Sequence, residues 1–253
     1  MPLLQLHAVT RRFGERIALA GVDLAVAPGE FVSLLGASGC GKSTVLRLLS
    51  GLDAPTAGTI ARDLPPDAIP GYVFQDAALM PWASVRRNVE LPLMLRGERP
   101  AAMRERVDAA LRAVGLADSA DAVPRELSGG MRMRASLARA LVTAPRLWLL
   151  DEPFGALDEI TRFALNQTLL SLCKPRDGSP PATAVFVTHS VYEAVFLSER
   201  VVVMARPGRV TEEVAIDVPY PRDASFRATP AFAALCARVS DALQRASVAG
   251  ARA

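Results

Sequence analysis

The residues best equipped for chemistry lie in one short stretch, Gly36-Ala37-Ser38-Gly39-Cys40-Gly41-Lys42-Ser43-Thr44. Gly36, Gly39 and Gly41 let the backbone curl so that successive N–H groups point inward at an anion. A helix opening at the loop adds the partial positive charge of its N-terminus. Lys42 brings a compact ammonium that can reach β- and γ-phosphates, and the Ser43 hydroxyl can ligate Mg²⁺. The flanks must hold this loop in place. Phe31-Val32-Ser33-Leu34-Leu35 before it reads as a buried strand, and Val45-Leu46-Arg47-Leu48-Leu49 after it reads as a helix. Strand, glycine-rich loop, Lys-Ser and helix make a phosphate-binding loop. An ordinary glycine-rich turn is the plainer alternative. Lysine usage weighs against it: Lys42 and Lys174 are the only lysines among 29 basic residues. Arginine's planar fork is a poor substitute for an ammonium inside a phosphate cradle.

A phosphate loop needs an acidic second half. Leu147-Trp148-Leu149-Leu150 is apolar on both faces, as a central parallel strand should be, and it runs into Asp151-Glu152. Ligands of open parallel sheets sit at the carboxyl ends of strands, so Asp151 is placed to hold Mg²⁺ directly or through water. Glu152, one residue on, points elsewhere and can polarise an attacking water. The alternative is a surface acidic pair capping the next element. Leu127-Ser128-Gly129-Gly130-Met131 opens another predicted helix and so another anion-seeking N-terminus. Only one of the two helix starts can serve the chain's own nucleotide.

The 253 residues, 51% hydrophobic and 22% charged, suffice for one large core with a subdomain. A net charge of +3 is too mild to demand a nucleic-acid or membrane-surface partner. Cys40, Cys173 and Cys236 show no paired or metal-ligand spacing, which points to a reducing compartment without disulfides. No signal peptide and no membrane span are expected.

Residues 3–35 read as β structure, with Pro28-Gly29 as a turn. Gly51 and Gly58 bracket an expected loop, and Gly71-Tyr72-Val73-Phe74 is a short buried strand. Residues 77–143 read as largely helical. Met103, Val107, Ala110, Leu111 and Val114 share one face of a helix ended by Gly115, and a second helix runs from near Ser128 to about Val142. Next come a helix over 158–173, a Pro/Gly loop over 174–182 and the buried strand Ala184-Val185-Phe186-Val187. A helix near Ser190–Leu197 and the strand Arg200–Met204 follow. Thr229 and Pro230 open a last helix with the stripe Phe232, Leu235, Cys236, Val239 and Leu243. Docking of that stripe on the body is favoured over partner binding.

The phosphate loop, Gln75, Leu-Ser-Gly-Gly, Asp151-Glu152, Ala156-Leu157-Asp158 and His189 follow one another at compatible distances. In this order they make residues 3–216 resemble the ATP-binding cassette ATPases. The resemblance implies a single α/β domain over 1–253. Its P-loop NTPase core (1–75 and 144–217) has a mostly parallel sheet and an N-terminal antiparallel β subdomain. A helical subdomain (76–143) and a C-terminal extension (218–253) complete it. ATP and Mg²⁺ are the implied nucleotide and cofactor. Phe13 resembles the aromatic that stacks on adenine, a core aromatic being the alternative. Gly36, Ser38, Gly39, Cys40, Gly41, Lys42, Ser43 and Thr44 would hold the phosphates. Ser43, Asp151 and Gln75 would serve the metal, with Gln75 sensing the γ-phosphate. Ser128, Gly129 and Gly130 resemble the signature that contacts ATP held by the opposite subunit, Asp158 the dimer-interface aspartate and His189 the switch histidine. Lys42, Gln75, Glu152 and His189 form the implied catalytic set. Met131 departs from the glutamine usual at its position.

The implied partners are a second cassette, most simply an identical copy, a membrane permease and, indirectly, a periplasmic or extracellular solute-binding protein. The implied location is the cytoplasmic face of the plasma membrane. Leu79, Met80 and Trp82 would face the permease, or else fill the subdomain core. Thr188–Ala194, Arg206–Val210 and Pro219–Arg222 are similar to the nitrate, sulfonate and taurine importers and their thiamine-precursor pyrimidine relatives. Two other classes share the loop. A cassette acting on nucleic acid would show salt-sensitive DNA or RNA binding; a small-molecule kinase would leave Leu-Ser-Gly-Gly unexplained. No nucleic-acid partner is expected. Cys40 is expected to react with thiol reagents unless ATP shields it.

Overall fold

Apolar runs in this chain become strands buried on both faces, and the segments between them become helices that cover those faces. The computed structural model describes residues 1–65, 68–175 and 178–251. Arg176 and Asp177 of the expected Pro/Gly loop and the last two residues of the extension lie outside the described residues. The chain begins with β1 (Leu4–Phe13), β2 (Arg16–Val26), β3 (Phe31–Gly36), α1 (Lys42–Ser50), β4 (Ala57–Arg62) and β5 (Gly71–Val73). The helical stretch is α2 (Val85–Leu95), α3 (Pro100–Ala113) and α4 (Gly129–Leu141). Then follow β6 (Leu147–Asp151), α5 (Glu159–Cys173), β7 (Thr183–Thr188), α6 (Val191–Leu197), β8 (Arg200–Ala205), β9 (Arg209–Ala215) and α7 (Pro230–Ala251).

Two sheets result. The larger has the order β5-β6-β7-β3-β8-β9, parallel except for the antiparallel edge strand β9; the smaller, β2-β1-β4, is antiparallel. Every residue of β3 and β7 is buried, as central parallel strands require. Their period of two feeds two cores. Phe31, Leu35, Trp148, Leu150 and Phe186 face α2–α7, whereas Val32, Leu34, Leu149, Val185 and Val187 face α1 and the small sheet.

The loop expected between Gly51 and Gly58 is shorter than the sequence suggests, because residues 57–62 form β4. This strand pairs with β1 from Leu4↔Arg62 to Thr10↔Ala57 and buries almost nothing. An edge strand with a single half-buried apolar residue, Ile60, carries no hydrophobic alternation to read. The helical expectations over 77–143 hold. α3 opens on Pro100, and Gly115 follows its end at φ 69°. Buried Asn88 bonds the backbone of Met80, Ala83 and Ser84, which pins the segment carrying Leu79–Trp82.

The last helix docks on the body: Phe232, Leu235, Cys236 and Val239 are buried, and Thr229 caps its start through the Phe232 N–H at 3.1 Å. The preceding connector supplies Arg222, 2% exposed. Its guanidinium donates to the carbonyls of Val195, Phe196 and Ser198 at the end of α6. A cation here satisfies carbonyls that a helix C-terminus leaves unpaired.

Candidate functional site

β3 carries the loop to the carboxyl edge of the sheet, where β6 ends two strands away in Asp151. Gly41 starts α1 at φ 100°, and a Cβ there would stand 2.6 Å from the Ala18 carbonyl oxygen, so only glycine fits. Among the described residues no side chain caps α1, and its N-terminus is left to attract an anion. Ala37, Ser38 and Gly39 are exposed, Thr44 is half-buried and Gly36 closes the strand. The Lys42 ammonium, 4% exposed, donates to the carbonyls of Gly36 at 2.8 Å and Ala37 at 3.3 Å. It lies 3.5 Å from Glu152 Oε1.

Ser43 Oγ donates to Asp151 Oδ1 at 2.8 Å. Burial pushes the Asp151 carboxyl pKa up, opposed by the Ser43 hydrogen bond and Lys42. Hydroxyl and carboxylate oxygens are the hard donors Mg²⁺ takes, so this pair fits the cation. Among the described residues no group of three or more His, Cys, Asp or Glu side chains is arranged to hold a metal ion by itself. A cation held here must therefore complete its shell with water, an amide such as that of Gln75, or substrate oxygens.

Glu152 adopts φ 45°, a left-handed conformation that costs about 1–3 kcal/mol in a non-glycine residue. Its N–H donates to the Val187 carbonyl at 3.0 Å, tying the kink to β7. The two carboxylates thereby separate: Asp151 meets Ser43, while Glu152 meets Lys42 and, through Oε2 at 3.3 Å, His189 Nδ1. Lys42, Ser43, Asp151, Glu152 and His189 thus converge within one chain.

The second helix start is built differently. Ser128 caps α4 by accepting from the Met131 N–H at 3.2 Å, and it is exposed. Gly129 lies beside Leu157 and Arg132, and a Cβ on Gly130 would come within 2.5 Å of Thr161 Cγ2. That glycine answers the packing of α4 on α5. Asp158 caps α5 through the Thr161 N–H at 2.9 Å, and this hydrogen bonding holds its carboxyl below the usual range. Exposed Gln75 shares a cleft with Gly129, Arg132, Pro153 and Leu157. Met131 packs partly buried against the core. Phe13 is 48% exposed with the Arg11 guanidinium 4.5 Å from its ring centroid, which removes the core-aromatic alternative.

The structure corrects one expectation and adds three residues. Cys40 is 1% exposed, packed behind the loop, and burial pushes its thiol pKa up; ready attack by thiol reagents is therefore not expected. Arg206, directly after β8, donates to the Ser38 carbonyl at 2.5 Å and steadies the loop. Glu193, 5% exposed, accepts from the Thr188 hydroxyl and faces Arg162 Nε at 3.7 Å. Arg162 in turn donates to the Leu157 carbonyl at 2.9 Å. The segments bearing His189 and Asp158 are thereby linked. A glutamate directly before the apolar Ala194-Val195-Phe196-Leu197 was the available signal.

The family described as ABC transporter matches residues 19–155. The chain is 47% identical over 236 residues to the aliphatic sulfonates import ATP-binding protein SsuB 1 of Pseudomonas fluorescens, covering 93% of this chain and 85% of the relative. A putative ATP-binding protein of Brucella abortus is 44% identical over 243 residues, 94% of this chain and 92% of the relative. Among solved structures, the ATP-binding cassette MJ0796, a dimer in a post-hydrolysis state bound to ADP and Pi, has a TM-score of 0.73 at 34% identity, covering 85% of this chain and 100% of that one. The cbiO1 protein of Clostridium perfringens, part of the ABC transporter complex cbiONQ, has a TM-score of 0.75 at 27% identity, covering 85% and 89%.

Proposed function

Because the chain belongs to the ABC transporter family of ATPases, we propose that it powers an importer for aliphatic sulfonates, as a pair of copies beneath a membrane permease at the cytoplasmic face. One observation carries this reading. The Lys42 side of the phosphate chemistry is assembled within the chain, whereas Ser128 lies exposed with Met131, Leu157 and Arg132 around its helix start. A head-to-tail pair brings Ser128 of each copy to the loop of the other.

The residues then divide the work. Phe13 offers its ring to the adenine. Lys42 and the loop N–H groups bind the β- and γ-phosphates and take up negative charge as the γ-phosphoryl group leaves. Ser43, Asp151 and Gln75 would hold Mg²⁺, which when bound neutralises the phosphate oxygens. Glu152 accepts the proton of the attacking water, and His189, held at 3.3 Å, orients the γ-phosphate. Ser128, Gly129 and Gly130 of the second copy, with Asp158 at the seam, close the site and exclude bulk water. Hydrolysis removes the contact that joins the copies, and the pair reopens.

Among the described residues no helix is long and apolar enough to cross a membrane, and in this reading the permease provides the path for the solute. The expected permease-facing trio divides. Leu79 packs against the core, while Trp82 is 80% exposed on the segment pinned by Asn88. Nearby Ile69, Phe74 and Leu95 are exposed along one cleft, a surface suited to an apolar partner helix. Kinship to the sulfonate importers supports that substrate class over nitrate or a pyrimidine; the solute-binding partner follows from the same reading. The test is uptake of labelled ethanesulfonate in a strain lacking this chain, together with capture of the tagged chain from membranes. Lost uptake and a co-purified multi-span permease are expected. Normal uptake with no membrane partner would overturn the proposal.

A further inference from the structure

A cavity of about 820 Å³ opens between the start of α5, α6, the turn at 224–228 and α7. That is the size of a small-molecule site, roughly 300–1,000 Å³. Its apolar wall is formed by Phe163, Tyr192, Phe232 and the small residues Ala233 and Ala237 of α7. Its charged wall holds Arg162, Arg227, Glu159 and Glu193. Glu159 is exposed at the rim; Glu193 accepts from the Thr188 hydroxyl through Oε2, and its buried Oε1 lies 3.7 Å from Arg162 Nε, too far for a hydrogen bond. Arg227 is held flat, its guanidinium 4.1 Å from the Phe163 ring centroid and 3.8 Å from that of Phe196. Among the described residues its guanidinium has no hydrogen-bond partner; Nη2 is buried, and the rest of the side chain lines the cavity. A guanidinium left unpaired on an apolar wall pairs best with an anion that also brings apolar surface.

We propose that this cavity binds a small monoanion with an apolar body: a carboxylate or sulfonate on an aromatic or short aliphatic stem. The head would pair with Arg227, and the body would lie against Tyr192, Phe163 and Phe232. The occupant would be felt at the nucleotide. Ser190 of the wall directly follows His189, Glu193 accepts from the Thr188 hydroxyl just before it, and Arg162 reaches the Leu157 carbonyl just before Asp158. This coupling to ATP turnover rests on the function proposed above; the binding itself does not.

The probe is benzenesulfonate, titrated calorimetrically into the full chain with saturating ADP so that the phosphate loop is filled. One saturable site is expected, with the uncharged benzenesulfonamide at least tenfold weaker. Arg227→Gln should weaken benzenesulfonate at least tenfold. Ala237→Trp, at an exposed position of α7, should block it by filling the cavity while the melting temperature holds. Unchanged affinity in both variants, or no saturable heat up to about 10 mM probe, overturns the site. Binding that leaves ATP turnover unmoved overturns the coupling while the site stands.

Discussion

Two helices in this protein begin after glycine-rich turns, and they begin differently. α1 has Gly41 at its start and no side-chain cap, so its N-terminus draws in an external anion. α4 has Ser128, which already accepts from the Met131 N–H. Gly41 is required by its own backbone and by the Ala18 carbonyl; Gly130 is required by Thr161 on the next helix. Around α1 stand an ammonium, two carboxylates and an imidazole, whereas around α4 stand Leu157, Thr161 and Arg132. In the proposed function, one terminus holds phosphate within its own chain. The other is capped, exposed and braced by packing, as suits a surface that completes a neighbour's site.

The largest effects should therefore fall on the α1 side. Glu152→Gln keeps the shape and removes the proton acceptor; turnover should drop by about 10²–10⁴. ATP should then hold the chain as a dimer in size-exclusion chromatography. Normal turnover in this variant means Glu152 is not the base. Lys42→Ala removes the buried ammonium, and tight ATP binding should go with it in an equilibrium titration; retained micromolar affinity would refute the cradle.

Ser128→Ala sharpens the contrast, because it should leave ATP binding by the isolated chain unchanged. The lost cap costs about 1 kcal/mol locally. The larger consequence should be a weaker ATP-dependent dimer and turnover lower by about tenfold or more, as for removal of one hydrogen bond to a charged group. If Ser128→Ala weakens ATP binding by the monomer as Lys42→Ala does, the two helix starts serve the same nucleotide and the division fails.

What the sequence discloses about these regions follows the range of the forces involved. The starts of α4 and α7 are legible because capping acts within three residues: Ser128 to Met131, Thr229 to Phe232. β3, β6 and β7 are legible because strands buried on both faces are apolar throughout. β4 is not, since apart from half-buried Ile60 and the Arg62 bonds to the end of α1 it is held by pairing with a strand some fifty residues earlier. The link from Thr188 through Glu193 and Arg162 to Leu157 is equally silent, because its members meet only after α5 and α6 pack. Pro219-Tyr220-Pro221-Arg222 signals kinship in the sequence. That Arg222 closes the end of α6 depends on a chain reversal that no local spacing encodes.

The smallest effect probes the hidden side of the phosphate loop. A residue inside a nucleotide loop invites the expectation that ATP protects it, but Cys40 faces the core beneath Gly36 rather than the cradle. Burial disfavours its thiolate, the reactive form, even with Lys42 close by. Cys173 and Cys236 are likewise buried, with thiol pKa values pushed up to about 12 and about 11. Iodoacetamide at pH 8, read out by peptide mass spectrometry, should therefore label Cys40 slowly, and equally slowly with and without ATP. A raised thiol pKa means the thiolate gathers only above the ordinary thiol range, so the rate should climb with pH later than for a free cysteine. A severalfold slowing by ATP would instead place the sulfur on the phosphate side of the loop. The loop's inward turn would then be wrong, and with it the account of why α1, unlike α4, presents only backbone and Lys42 to its anion.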